Sequence, residues 1–200
     1  MKNLFRARPP RQLTLPQITR LSSQSNIAPI ELEKWYERFL RCYTSGYVSL
    51  QEFQTYIQQV YLHQGNRSRE PISKTLIKEL FSTLDSNRDQ ELNFEEFFRF
   101  SLLINVGSIE EKLKFILTLY QRERAHYFTK EEIVRLLSQM FQLLDMIKFA
   151  EKLPEKIDEI CKSIGCNQRI CWKTFSTALL NQPTLVELFL SNQLSDNSSV

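Results

Sequence analysis

The segment Asp85-Ser-Asn-Arg-Asp-Gln-Glu-Leu-Asn-Phe-Glu-Glu96 spaces its oxygen-bearing side chains as a cation loop requires. In a twelve-residue frame Asp85, Asn87 and Asp89 take positions 1, 3 and 5, the Glu91 carbonyl takes 7, Asn93 takes 9 and Glu96 takes 12. Calcium is a hard cation that gathers six to eight oxygens. Short Asp and Asn side chains at alternate positions fill one hemisphere, and a Glu at the start of the next helix closes the other with two oxygens at once. The expected ion is Ca²⁺, with Mg²⁺ as a competitor. One residue works against it: position 6 calls for positive φ, where a side chain costs on the order of 1 kcal/mol, and Gln90 stands there. Weakened binding is expected, not lost binding.

Such a loop needs helices to hold it. Ile77, Leu80, Phe81 and Leu84 recur at helical spacing before it, and Phe97, Phe100 and Ile104 after it. Leu92 at position 8 is expected to point inward, and the same register recurs along the chain. Val48 with Phe53, Leu92 with Phe97, Phe128 with Ile133, and Ile170 with Phe175 hold corresponding places, and position 12 is Glu52, Glu96, Glu132 and Thr174 in turn. The expectation is an all-α chain of four helix–loop–helix units in two paired lobes. Short two-stranded contacts are expected between Tyr47–Ser49 and Glu91–Asn93, and between Tyr127–Thr129 and Arg169–Cys171. An ordinary capped connector would also suit Asp85–Asp89, but would not repeat in register.

Three stretches carry a family resemblance: Trp35-Tyr-Glu-Arg-Phe-Leu-Arg-Cys-Tyr-Thr-Ser-Gly46, Gly107-Ser-Ile-Glu-Glu-Lys-Leu113 and Phe115-Ile-Leu-Thr-Leu-Tyr120. They are similar to segments of the neuronal calcium sensor (recoverin/frequenin-like) family of EF-hand proteins and, more distantly, of calcineurin B. The similarity spans roughly residues 18 to 190. It implies a non-enzymatic regulatory protein that holds an amphipathic helix of a channel, cyclase or phosphatase-like target in a hydrophobic groove. Surplus apolar positions that would line such a groove are Trp35, Phe39, Phe53, Tyr56, Ile57, Phe81, Phe98 and Leu102, each of which also suits a core. In relatives a C-terminal segment covers part of the groove, and Pro183–Leu190 stands at that place.

Charge at the coordinating positions ranks the other loops. The first, 41–52, begins with Arg41 and offers Tyr43 and Ser45, so it is expected to be dead. The third, 121–132, keeps Glu123 and Glu132 but offers Gln121 and Ala125, beside Arg122 and Arg124. The fourth, 163–174, has no carboxylate and ends in Thr174. At most one near-complete site remains. With one weak site, the alternative is a constitutive, calcium-independent, light-chain-like subunit with vestigial hands.

Composition agrees with helix: only 4 glycines and 7 prolines argue against a sandwich, barrel or glycine-rich phosphate cradle. Fourteen phenylalanines and 42% hydrophobic residues supply a helical core. The net charge of +3 lies in the N-terminal stretch, because Lys2, Arg6, Arg8, Arg11 and Arg20 all precede the first acid, Glu31. The expected organisation is a basic Pro-containing tail at 1–17, one pair of hands at 18–105, a second at 106–190 and a polar tail at 191–200. The N-terminal tail is expected to make at most weak contact with anionic membrane. Lys2 in place of glycine speaks against N-myristoylation if Met1 is the true start. No folded basic face points to nucleic acid. Cys42, Cys161, Cys166 and Cys171 contain no Cys-x-x-Cys pair and lie far from His63 and His126, so reduced thiols of a cytoplasmic protein are expected rather than zinc. No nucleophile–base pair argues for an enzyme.

Overall fold

Capping residues mark the helix starts in this chain. Ser73 accepts the N–H of Leu76, Asn93 that of Glu96, Ser108 that of Glu111 and Thr129 that of Glu132. Each side-chain oxygen satisfies one of the amides a helix leaves open at its first turn. The computed structural model describes residue 10 and residues 12–63, 71–120, 126–146, 153–165 and 169–180. The basic residues Lys2, Arg6, Arg8 and Arg11, the first five residues of the third loop and part of the fourth, and the C-terminal stretch with Pro183–Leu190 lie outside the described residues.

Among the described residues the helices are α1 Leu15–Ser25, α2 Pro29–Cys42, α3 Leu50–His63, α4 Lys74–Leu84, α5 Phe94–Val106, α6 Ile109–Thr118, α7 Lys130–Leu143, α8 Leu153–Ser163 and α9 Trp172–Leu180. Four two-residue strands sit between them: β1 Val48–Ser49, β2 Glu91–Leu92, β3 Tyr127–Phe128 and β4 Ile170–Cys171. β1 pairs antiparallel with β2 through Val48 opposite Leu92, and β3 with β4 through Phe128 opposite Ile170. The architecture is mostly helical and consistent with the EF-hand fold. Val48 and Leu92 are fully buried and Ile170 nearly so, while Phe128 is only half-buried. Each paired strand thus aims its inward apolar residues at the layer of helices beneath.

Aromatic contacts knit that layer. Phe53 meets Phe81 and Phe100 at ring distances of 5.7 and 5.6 Å, and Phe94 stacks on Phe98 at 5.3 Å. In the second half Trp172, fully buried, meets Tyr120 at 5.9 Å and Phe175 at 5.7 Å. The halves touch through Phe100 and Phe115 at 5.8 Å and through Tyr61 Oη donating to Gln142 Oε1, while within the second half Lys112 Nζ donates to the Leu144 carbonyl at 2.9 Å. Burial lowers the Lys112 pKa from the ordinary lysine value, as expected for an ammonium withdrawn from water.

The N-terminus departs from expectation. A helix begins at Leu15, ahead of the boundary placed at residue 18, with Pro16 in its first turn and the Gln17 side chain accepting the Thr14 N–H at 2.9 Å. Proline is tolerated there because the first-turn amides have no helical partner. Arg20, assigned by composition to the basic stretch, lies inside this helix and pairs with Glu95 on α5.

Candidate metal site and apolar groove

The second loop winds around its own side-chain oxygens. Asp85 closes α4 and is 5% exposed; its Oδ1 accepts the Asp89 N–H at 3.1 Å and its Oδ2 the Gln90 N–H at 2.9 Å. Asn87 Oδ1 accepts the Asp89 N–H at 3.0 Å, and Asp89 Oδ1 accepts the Glu91 N–H at 3.1 Å. These bonds turn the backbone so tightly that Arg88 and Gln90 sit at φ 59° and 68°. Glu91 and Leu92 then enter the strand pair, and Asn93 caps α5.

Glu96 closes the loop. Its Oε2 accepts the Asn93 N–H at 3.0 Å, while its Oε1 reaches back across the loop to the Ser86 N–H at 2.9 Å. The corresponding glutamates behave differently. Glu52 Oε2 accepts only from Ser49, through N–H at 2.8 Å and Oγ at 2.6 Å, and Glu132 Oε2 accepts the Thr129 N–H at 2.8 Å. Both are exposed local caps, whereas Glu96 is 7% exposed. Among the described residues, then, only the second hand draws its position-12 carboxylate into the loop.

The donor types fit a hard cation: carboxylates at Asp85, Asp89 and Glu96, amide oxygens at Asn87 and Asn93, and the Glu91 carbonyl. The side chains are nevertheless arranged as a hydrogen-bonded loop. Among the described residues no three Asp, Glu, His or Cys side chains are grouped as a metal centre. A carboxylate oxygen that accepts one N–H keeps acceptor capacity beyond it, so the hydrogen bonds that wind this loop do not by themselves exhaust its carboxylates.

The other loops hold their polar groups elsewhere. Arg41 at the head of loop one is exposed and lies 3.8 Å from Glu37, and Tyr43 packs on Phe39 and Phe97, burial pushing its hydroxyl pKa up to about 12. In loop three Gln121, Glu123 and Ala125 are outside the described residues; the Tyr127 carbonyl, its position-7 oxygen, accepts from the Arg169 guanidinium at 3.2 Å. A cationic side chain therefore occupies that oxygen. Cys171 in loop four sits at the start of α9, where the Thr174 N–H lowers its thiol pKa below the usual value.

The apolar positions singled out for a groove divide. Phe39, Phe53, Ile57, Phe81 and Phe98 are buried in the core, while Trp35, Tyr56 and Leu102 are half-buried. Trp35 packs edge-on to Phe98 at 5.5 Å and Tyr56 to Phe97 at 4.8 Å, and burial raises the Tyr56 hydroxyl pKa. An open groove of about 480 Å³ does lie on this side, with Phe98 and Leu102 facing Leu21 and Gln24 of α1. Composition concealed the α1 wall. Its visible signals were Thr14-x-x-Gln17 with Pro16, a helix start, followed by Ile18 and Leu21 on one face.

No family model matches the chain. Calcium-binding protein NCSA of Dictyostelium discoideum is 28% identical over 128 residues, which cover 64% of each chain. A guanylyl cyclase inhibitory protein of Lithobates pipiens is 23% identical over 154 residues, 77% of this chain and 68% of its own length. Human recoverin is 25% identical over 143 residues, 68% of each. The chain thus spans about two thirds of the length of these relatives.

Proposed function

We propose that this chain, which resembles the neuronal calcium sensor proteins, is a divergent calcium-binding EF-hand regulator rather than an enzyme. Its four helix–strand–helix units act as EF-hands in two pairs, and ion binding is confined to the second through Asp85, Asn87, Asp89, Glu91, Asn93 and Glu96. Mg²⁺ competes at the same oxygens. The observation that carries the assignment is the buried Glu96 carboxylate reaching across the loop to Ser86, while Glu52 and Glu132 remain exposed caps. The relatives' printed names, a calcium-binding protein and a guanylyl cyclase inhibitory protein among them, support regulation of a target and make a cyclase the first class to test.

The groove beside Phe98 and Leu102 receives an amphipathic helix of that target, with half-buried Trp35 and Tyr56 within reach as the lobe opens. The protein works in the cytoplasm, its basic N-terminal residues making weak contact with anionic membrane. No described helix is long and apolar enough to cross a bilayer. Calorimetric titration with Ca²⁺ tests the site. Wild type releases or absorbs heat, and Glu96→Gln loses most of it; equal heats, or none in either protein, overturn the assignment.

A constitutive, light-chain-like role is the second reading. It is favoured by the first loop, where Glu52 is spent on capping α3 and Arg41 stands at position 1 in place of an acid, while its strand still pairs with that of the second hand. The same titration followed with an apolar dye separates the two: a switch raises dye binding with calcium, a constitutive subunit leaves it level.

A further inference from the structure

Helix α1 lies along α5 in register. Arg20 pairs with Glu95, and one turn further on the Arg99 guanidinium donates to Gln24 Oε1 at 3.1 Å and to Glu95 Oε1 at 2.7 Å. Two arginines, one from each helix, thus grip the Glu95 carboxylate, and Gln24 of α1 holds the second of them. Beneath it Ile18 and Leu21 are buried, and ahead of the helix the Pro10 carbonyl accepts the Tyr36 hydroxyl of α2 at 2.8 Å. The seat is shallow. Open volume flanks Leu21 on both sides: the 480 Å³ groove on one, and on the other a cleft of about 280 Å³ whose walls include Gln17, Tyr36, Asn87 and Asn93.

That second cleft places α1 against the ion loop, since Asn87 and Asn93 are its position-3 and position-9 donors. Glu95 is also the residue before Glu96, in the first turn of α5. Whatever fixes Glu95 fixes the rotation of that turn and therefore the aim of the Glu96 carboxylate. Resting on the second-hand ion site proposed above, we propose that α1 is a positioning element for that site: seated α1, through Arg20 and Leu21, raises the affinity of the second hand for calcium. By thermodynamic reciprocity the bound ion tightens the seat of α1 by the same factor.

Charge alone gives the opposite sign. Arg20 is a cation near a cation site, so if only its field mattered, removing it would strengthen calcium binding. Leu21 carries no charge, so its truncation isolates the mechanical effect. The experiment is calcium titration of the full chain by calorimetry for wild type, Leu21→Ala, Arg20→Gln and Arg20→Lys, with hydrogen exchange of the α1 amides in EGTA and in calcium. Leu21→Ala and Arg20→Gln each weaken binding about fivefold, the low end of typical coupling between sites. Arg20→Lys restores most of the loss. Exchange of residues 15–25 slows with calcium in wild type by more than exchange in α7, which reports the global stabilisation, and does not slow in Glu96→Gln.

Wild-type affinity in both Leu21→Ala and Arg20→Gln, tighter binding in Arg20→Gln, or α1 exchange indifferent to calcium in a wild type that binds it, overturns the coupling alone. Absence of any Glu96-dependent heat in wild type overturns the ion site and the coupling together. Should Leu21→Ala lose its helical signal, Arg20→Gln, changed at an exposed position, carries the test.

Discussion

Gln90 is held at φ 68° because the Asp85 carboxylate takes its N–H and strand pairing begins at the next residue. A β-carbon in that region costs on the order of 1 kcal/mol, and glycine avoids the cost. Gln90→Gly therefore raises calcium affinity about fivefold, the equivalent of that energy, if the loop must hold this conformation more rigidly with the ion than without it. Isothermal titration reads the change; an unchanged affinity would place the strain equally in both states. The donors around Gln90 were legible because spacing alone selects them. Glu96 was legible as a donor but not as the buried one of the three position-12 glutamates, since Glu52 and Glu132 occupy the same register with the same side chain. What separates them is the reach to Ser86, a contact across ten residues that no local pattern specifies.

Between α5 and α6 the chain turns on Gly107, whose N–H is shared between the Leu102 and Leu103 carbonyls at 3.2 Å each. Its φ of −63° is ordinary, so the need for glycine is steric. A β-carbon there would stand 2.5 Å from the Leu103 carbonyl oxygen and 3.0 Å from the Leu103 Cα, both backbone atoms that cannot swing aside. Gly107→Ala forces α5 to unwind or α6 to shift, and overpacking of this kind typically costs about 1–3 kcal/mol. Denaturant unfolding should show the midpoint falling with an unchanged slope. A variant as stable as wild type would mean that the α5–α6 turn relaxes freely. Sequence marked Gly107 through its surrounding signature and missed the reason, because the close approach depends on where the preceding turn of α5 ends. The element missed altogether was α1: Pro16 and the run of cations read as tail, whereas Pro16 sits where a helix accepts proline and Arg20 finds its counter-charge on a helix distant in sequence.

The two halves are not independent lobes on a string. Gln139 of α7 is 8% exposed and accepts the Ser73 N–H at 3.4 Å at the start of α4, and Tyr61 donates to Gln142. Glutamines on a helix read as solvent-facing in sequence, so the seam could not be anticipated; it forms because α3 lays Tyr61 against the same face of α7. The Phe100–Phe115 contact continues it on the other side. Buried aromatic contact and polar groups that lose their partners on separation make opening the seam costly. The whole chain should then unfold as one cooperative unit, and stabilisation at the second hand should be felt in the other half. The chain has two tryptophans, Trp35 in the first half and fully buried Trp172 in the second. In Trp35→Phe the remaining fluorescence reports only the second half, and its denaturation midpoint should coincide with that of the far-UV circular dichroism. Both should rise together when calcium is added, although the ion's ligands lie in the first half. A Trp172 transition that stays fixed while the helical signal splits and moves would mean that the halves unfold separately, and that ion binding at the second hand does not reach the second half of the molecule.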